Sequence, residues 1–217
     1  MAAIFRPGAN LAAKLGAYGS VVIVLAGIAW WWGWPRTDYQ RNDFWFVNQL
    51  VPFSHEHHVG GLGLDCRFCH IRIAQSTLGS MPPTYVCMTC HSQIWTNAAM
   101  LAPVRDSLAN DKPLVWHRIT NVPDYVFFDH SIHIAKGVGC VECHGGLDKM
   151  DLTYKAHSMT MTFCIDCHAD PGPRLRPADQ IYNLEWRRGP NTPSPAALMA
   201  QYHIPSRDLL DCSICHR

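Results

Sequence analysis

All ten cysteines of this chain fall into five copies of one five-residue pattern. The copies are Cys66-Arg-Phe-Cys69-His70, Cys87-Met-Thr-Cys90-His91, Cys140-Val-Glu-Cys143-His144, Cys164-Ile-Asp-Cys167-His168 and Cys212-Ser-Ile-Cys215-His216. C-x-x-C-H is the attachment signature of c-type haem. Its two thiols add to the two vinyl groups on one edge of the porphyrin, and the following histidine reaches the iron as the proximal ligand. A zinc site uses paired cysteines without needing a histidine directly after every pair. A thioredoxin-like redox motif occurs once, inside a βαβ pattern, and disulfides do not account for the fixed spacing. The expectation is therefore five covalently bound haem c groups, with His70, His91, His144, His168 and His216 on the irons.

Five porphyrins change what the rest of the chain has to do. After residue 35 the apolar residues come in short, broken runs, with turn formers drawn from 15 Gly and 15 Pro in 217 residues. Flat apolar rings are expected to replace side chains as the buried material. The predicted fold is a multihaem cytochrome c, mostly irregular, with short α-helices packed around five haems, one N-terminal transmembrane α-helix and little β structure. A net charge of +1 offers no basic face for nucleic acid.

No charge occurs between Lys14 and Arg36, and the run from Leu15 to Trp34 is 20 residues long. That suffices for a helix to cross a hydrocarbon core of roughly 30 Å. Trp30, Trp31, Trp32 and Trp34 suit an aromatic belt at the interface, and Pro35 is expected to end the helix. A cleaved signal peptide has a shorter apolar region and small residues at its cleavage site. Tryptophans fill that place here, so the segment is expected to stay attached as a single-pass anchor. Haem attachment takes place on the periplasmic side, which puts residues 36–217 on that face of a bacterial inner (cytoplasmic) membrane. All 17 acidic and 16 of the 18 basic residues follow Pro35. With haem propionates added, that portion is expected to be acidic enough to steer a basic partner.

The exported part carries an internal repeat. Phe53-Ser-His55-Glu-His-His58-Val precedes Cys66, and Phe128-Asp-His130-Ser-Ile-His133-Ile precedes Cys140, an offset of about 75 residues. The expected organisation is an anchor over 1–35, a first haem-binding half over 36–125 with haems 1 and 2, and a second over 126–217 with haems 3 to 5. Residues 92–127 carry no motif, with a short helix expected near Leu101–Leu108. The six-proline stretch from Pro171 to Pro195 reads as an extended loop wrapping the surface. In each His-x-x-His pair the two imidazoles share one face of a turn, so each pair can serve two different haems. That marks His55, His58, His130 and His133 as ligands on the second side of four irons. His57, His117 and His157 have no repeat partner and read as ordinary surface or hydrogen-bonding residues. For the fifth iron the candidates are Met161, three residues before Cys164, together with Met159 and His203. A thioether ligand would raise that haem's potential.

With these motifs in hand, residues 50–217 resemble the pentahaem cytochrome c subunit of alternative complex III, a quinol-oxidising respiratory complex. The likeness rests on Phe53-Ser-His55-x-x-His58-Val, Pro82-Pro83-Thr84-x-x-Cys87-Met88, Ile94-Trp95, Trp116-x-Arg118-Ile119, Pro123-Asp-Tyr-Val-x-Phe128, the Cys140–Gly145 block, Met161-x-x-Cys164, Leu175-Arg-Pro177 and Cys212–Arg217. It implies that His55 and His130 ligate the haems that follow them, that His58 and His133 ligate other haems, and that Met161 is the remaining distal ligand. Where the family often has Trp before the fourth motif, this chain has Phe163.

The resemblance further implies a non-catalytic electron-relay subunit. Its partners would be an iron–sulfur/molybdopterin-like subunit, integral quinol-binding subunits and a monohaem cytochrome c or terminal oxidase. Two other functions compete. A catalytic multihaem enzyme needs an open iron, whereas this chain supplies enough side chains to fill all five. A stand-alone membrane-anchored quinol dehydrogenase of the NapC/NrfH type has a similar anchor, but usually carries four haems and lacks the His-x-x-His repeat.

Overall fold

The computed structural model describes residues 6–205 and 207–216. Two compact units emerge, Met1–Asp43 and Phe44–Arg217.

In the first unit, α1 (Ala9–Gly33) runs for 25 residues with no buried side chain. At 1.5 Å per residue it is about 38 Å long, enough to span a bilayer core with some tilt. Its continuation through Arg36 has a mean hydropathy of 1.8 over its most apolar stretch. The α-helix stops at Gly33 and tightens into a 3₁₀ turn over Trp34–Arg36, with Pro35 inside it. Trp30 stacks on Trp34 with ring centroids 5.9 Å apart, and the Arg36 guanidinium lies 3.8 Å over the Trp32 ring. A short helix, α2 (Asp38–Arg41), follows, its first turn capped by the Thr37 hydroxyl.

The second unit is made of short helices and loops. Its β structure, among the described residues, amounts to isolated bridges joining Phe46 to Tyr154, Val126 to His216 and Val138 to Leu175. The helices are α3 (Cys66–Cys69), α4 (Thr84–His91), α5 (Ala102–Ala109), α6 (His130–Ala135), α7 (Val141–His144), α8 (Met161–Ala169), α9 (Pro195–Gln201) and α10 (Cys212–Cys215). Every C-x-x-C pair lies on a helical turn, because the first cysteine must share a face with the second three residues later. Asp65 and Asp211 cap the first and last of these turns by accepting from the backbone N–H groups of Arg67 and Ser213. After α7 the chain leaves through Gly145 at φ +70, where a Cβ would also crowd Ala156.

Among the described residues, side chains alone bury only nine hydrophobic residues: Val51, Val86, Leu101, Val104, Met150, Leu175, Ile181, Leu184 and Leu198. Several serve the second motif. Val51, Leu101 and Val104 form a cluster that packs Cys87, Met88, Leu114 and Trp116, so the motif-free stretch 92–127 acts as the wall behind α4. The expected helix near Leu101–Leu108 is α5.

One expectation is corrected. The proline-rich stretch from Pro171 to Pro195 does not merely wrap the surface. Leu175 is fully buried and Arg176 is 2% exposed, with Ile181 and Leu184 also inside. Proline removes N–H donors without forbidding burial, and here side-chain and bridge hydrogen bonds satisfy the backbone instead. Arg188 donates to the carbonyls of Leu175 and Pro193, and the Tyr202 hydroxyl donates to the Arg176 carbonyl.

Candidate haem-binding site

The two His-x-x-His segments are built alike despite different helical winding. His58 lies in a π-type turn over Glu56–Gly61 that begins beside His55, whereas His130 and His133 occupy α6. In each, a phenylalanine holds both imidazoles. Phe53 meets His55 edge-on at 4.9 Å and stacks on His58 at 4.4 Å; Phe128 meets His130 edge-on at 4.7 Å and stacks on His133 at 4.5 Å.

Each segment is braced by the loop that follows the other half's first motif. The Glu56 N–H donates to the Met150 carbonyl, and His55 Nδ1 lies 2.8 Å from the Thr153 hydroxyl. In return, the His130 and Ser131 N–H groups donate to the carbonyls of Thr77 and Ser76. This exchange ties the two sequence repeats together within one compact unit.

Facing imidazoles then appear at one recurring distance. Ring centroids lie 6.2 Å apart for His58 and His91, 6.3 Å for His130 and His144, and 6.2 Å for His133 and His168. Two imidazoles bound through nitrogen at about 2.0–2.1 Å to opposite faces of one metal ion place their centroids about 6.3 Å apart. Direct ring stacking would bring them much closer.

The hydrogen bonds on the opposite edges of the rings agree. Nδ1 of His58, His70, His91, His130, His133, His168 and His216 lies 2.7–3.3 Å from the backbone carbonyls of Ser54, Ser80, Ile94, Thr77, Asp129, Leu209 and Tyr125. A carbonyl only accepts, so Nδ1 carries the proton and Nε2 presents its lone pair. This is the arrangement that orients metal-binding imidazoles. Burial pushes His55 and His144 down to about 4, and also lowers His58 and His133. A neutral ring is the form that ligates. By contrast, His57 stacks on Trp95 and His157 on Phe163, while the His117 backbone is clamped by the Gln49 amide.

The cysteine pairs form a continuous series. The Cys66 and Cys140 thiols lie near each other, and their mutual influence eases Cys66 down to about 7 and pushes Cys140 up. Cys69 lies within electrostatic reach of Cys87 and Cys90, Cys143 of Cys167 and Cys164, and Cys164 of Cys215. Neighbouring motifs therefore run in the order second, first, third, fourth, fifth. Sequence spacing gives no hint that the first and third adjoin.

The fifth motif is differently equipped. The His216 ring lies 5.8 Å from Tyr125 rather than opposite another imidazole. Met161 opens α8 with its side chain 63% exposed, one turn before Cys164, the cysteine that neighbours Cys215. Met159 and His203 adopt left-handed backbone conformations at φ 46 and 52.

These residues fit haem. All ten cysteines are free, so none is spent on a disulfide. Among the described residues no three His, Cys, Asp or Glu side chains converge as a bare metal ion would require. Paired thiols on helical turns, each followed directly by a histidine, together with an N-terminal apolar helix long enough to cross a membrane, fit a multihaem c-type cytochrome.

Comparison with known proteins agrees at that level. The chain is 30% identical over 125 residues to the multihaem cytochrome c subunit of a menaquinone reductase from Nitratidesulfovibrio vulgaris. The match covers 57% of this chain and 56% of that relative, so the chain spans little more than half of the relative's length. No protein-family model matches.

Proposed function

We propose that this chain is a pentahaem electron-relay subunit of a membrane quinol:acceptor oxidoreductase resembling alternative complex III. It is held by α1 with its second unit on the periplasmic side of a bacterial inner membrane. The observation that carries the reading is the recurring 6.2–6.3 Å separation of His58–His91, His130–His144 and His133–His168. Side chains on both faces of an iron leave no position for substrate, which favours relay over catalysis.

When bound, each haem supplies a one-electron ferric/ferrous couple. The chain does the rest. The cysteine pairs would hold each haem covalently, and the carbonyl-tethered imidazoles would present Nε2 to its iron. Phe53 and Phe128 set the angle between consecutive ligands. The order of the cysteine pairs supports a single conducting row, with the second motif at one end and the fifth at the other. His55 is assigned to the iron of His70 and Met161 to that of His216. Partners supplying and accepting electrons would be an iron–sulfur subunit, integral quinol-binding subunits and a monohaem cytochrome or oxidase.

A pyridine haemochrome assay on the purified chain tests the reading. Five haem c per polypeptide are expected, and a clear shortfall would refute it. Low-temperature EPR should show low-spin ferric iron throughout; a stoichiometric high-spin signal would favour a catalytic centre.

The relative's name supports a second reading, in which the same row feeds quinone reduction rather than quinol oxidation. Haem midpoints lying mostly below that of menaquinone would favour that direction. Reduction of the isolated chain by a quinol, without partners, would favour a stand-alone quinol dehydrogenase instead.

A further inference from the structure

Among the buried charges of the second unit, Arg176 stands in an unusual position. Its side chain is 3% exposed, and Nη2 donates at 2.8 Å to Oε1 of Glu142, a residue inside the third motif between Cys140 and Cys143. Nη1 donates at 2.8 Å to the Asn183 carbonyl, and the guanidinium lies 4.9 Å from the Trp186 ring centroid. Nε is buried with no hydrogen-bond partner.

The group is wedged against the backbone just before the motif. A Cβ on Gly139 would overlap Nε, Cζ and Cδ of Arg176, so only glycine admits the guanidinium there. The backbone is locked as well. The Arg176 N–H donates to the Gly137 carbonyl, Val138 bridges to Leu175, and the Cys140 N–H donates to the Ile181 carbonyl. The charge is thus held beside Cys140, on the side where the first and third motifs lie near each other.

We propose that Arg176 is a positioning residue that sets the charge at the thioether edge of the third haem, with Glu142 as its counterweight, and thereby raises that haem's reduction potential. The inference rests on the haem-binding reading above. An arginine stays protonated even when buried, and its field is weakly screened in the interior. Glu142 is 26% exposed and therefore better screened by water. The net field at the motif is positive, and it disfavours the extra positive charge that oxidation puts on the iron.

The test is a spectroelectrochemical titration of the full chain in detergent, with haem content measured first. Arg176→Gln should move one of the five redox components to lower potential, and Glu142→Gln should move the same component to higher potential. Arg176→Lys should restore most of the wild-type value. A structural role alone predicts altered haem content or spin state, without opposite shifts from the two partners. Should Arg176→Gln fail to assemble, Glu142→Gln carries the test alone through its upward shift. Five haems with unmoved midpoints in the assembled variants would overturn this inference and leave the relay reading standing. Fewer than five haems in the wild type would overturn the relay reading itself.

Discussion

Replacing Leu175 with alanine separates two descriptions of the Pro171–Pro195 stretch. As a surface wrapping it would tolerate the change within about 0.5 kcal/mol. In the structure, however, Leu175 has no exposed surface and bridges to Val138, one residue before the Gly139 step into the third motif. Removing a fully buried leucine side chain costs about 2–5 kcal/mol, because the lost transfer energy adds to the cavity left behind. For a domain of this size each kcal/mol displaces the melting midpoint by roughly 2–4 °C. A cost of about 3 kcal/mol therefore lowers Tm by roughly 6–12 °C. The assay is a thermal melt of the oxidised chain in detergent, followed by far-UV circular dichroism. Val115→Ala serves as control, since Val115 is 76% exposed and should shift the midpoint by no more than roughly 2 °C. A Leu175→Ala midpoint as close to wild type as the control would refute the claim that this stretch builds the interior.

Three further outcomes are expected. His133→Ala should open the iron opposite His168, not the one in its own following motif. It would give a high-spin ferric EPR signal of about one iron in five that added imidazole returns to low spin; a wholly low-spin variant would exclude the assignment. Met161→Ala should lower the potential of one haem or convert it to high spin, and unchanged spectra and midpoints would point to Met159 or His203. Gly139→Ala drives a Cβ into the Arg176 guanidinium. Overpacking of this kind costs about 1–3 kcal/mol, so the midpoint should fall by at least roughly 2 °C; an unaltered melt would mean that Arg176 is free to move aside.

Much was legible because the chemistry is local. A cysteine pair and its histidine occupy five consecutive residues, so no folding knowledge is needed to see that they share one turn. The same holds for the His-x-x-His segments, whose three-residue spacing already presents both rings to one side. In α1, uniform apolarity over Ala9–Gly33 is itself the signal, since a chain segment long enough to span a bilayer must satisfy its own backbone as a helix.

Sequence alone showed five C-x-x-C-H motifs, two His-x-x-His segments that could supply further ligands, and an apolar run ahead of them long enough for a membrane helix. Tertiary structure alone decided which imidazole faces which, that the first and third motifs adjoin through Cys66 and Cys140, and that Arg176 is buried against Gly139. The physical reason is range. Attachment chemistry depends on neighbours in the chain, whereas ring pairing depends on contacts such as Thr77 with His130 and Thr153 with His55, about 53 and 98 residues apart. No local pattern encodes such contacts; they arise only when the two repeats brace each other.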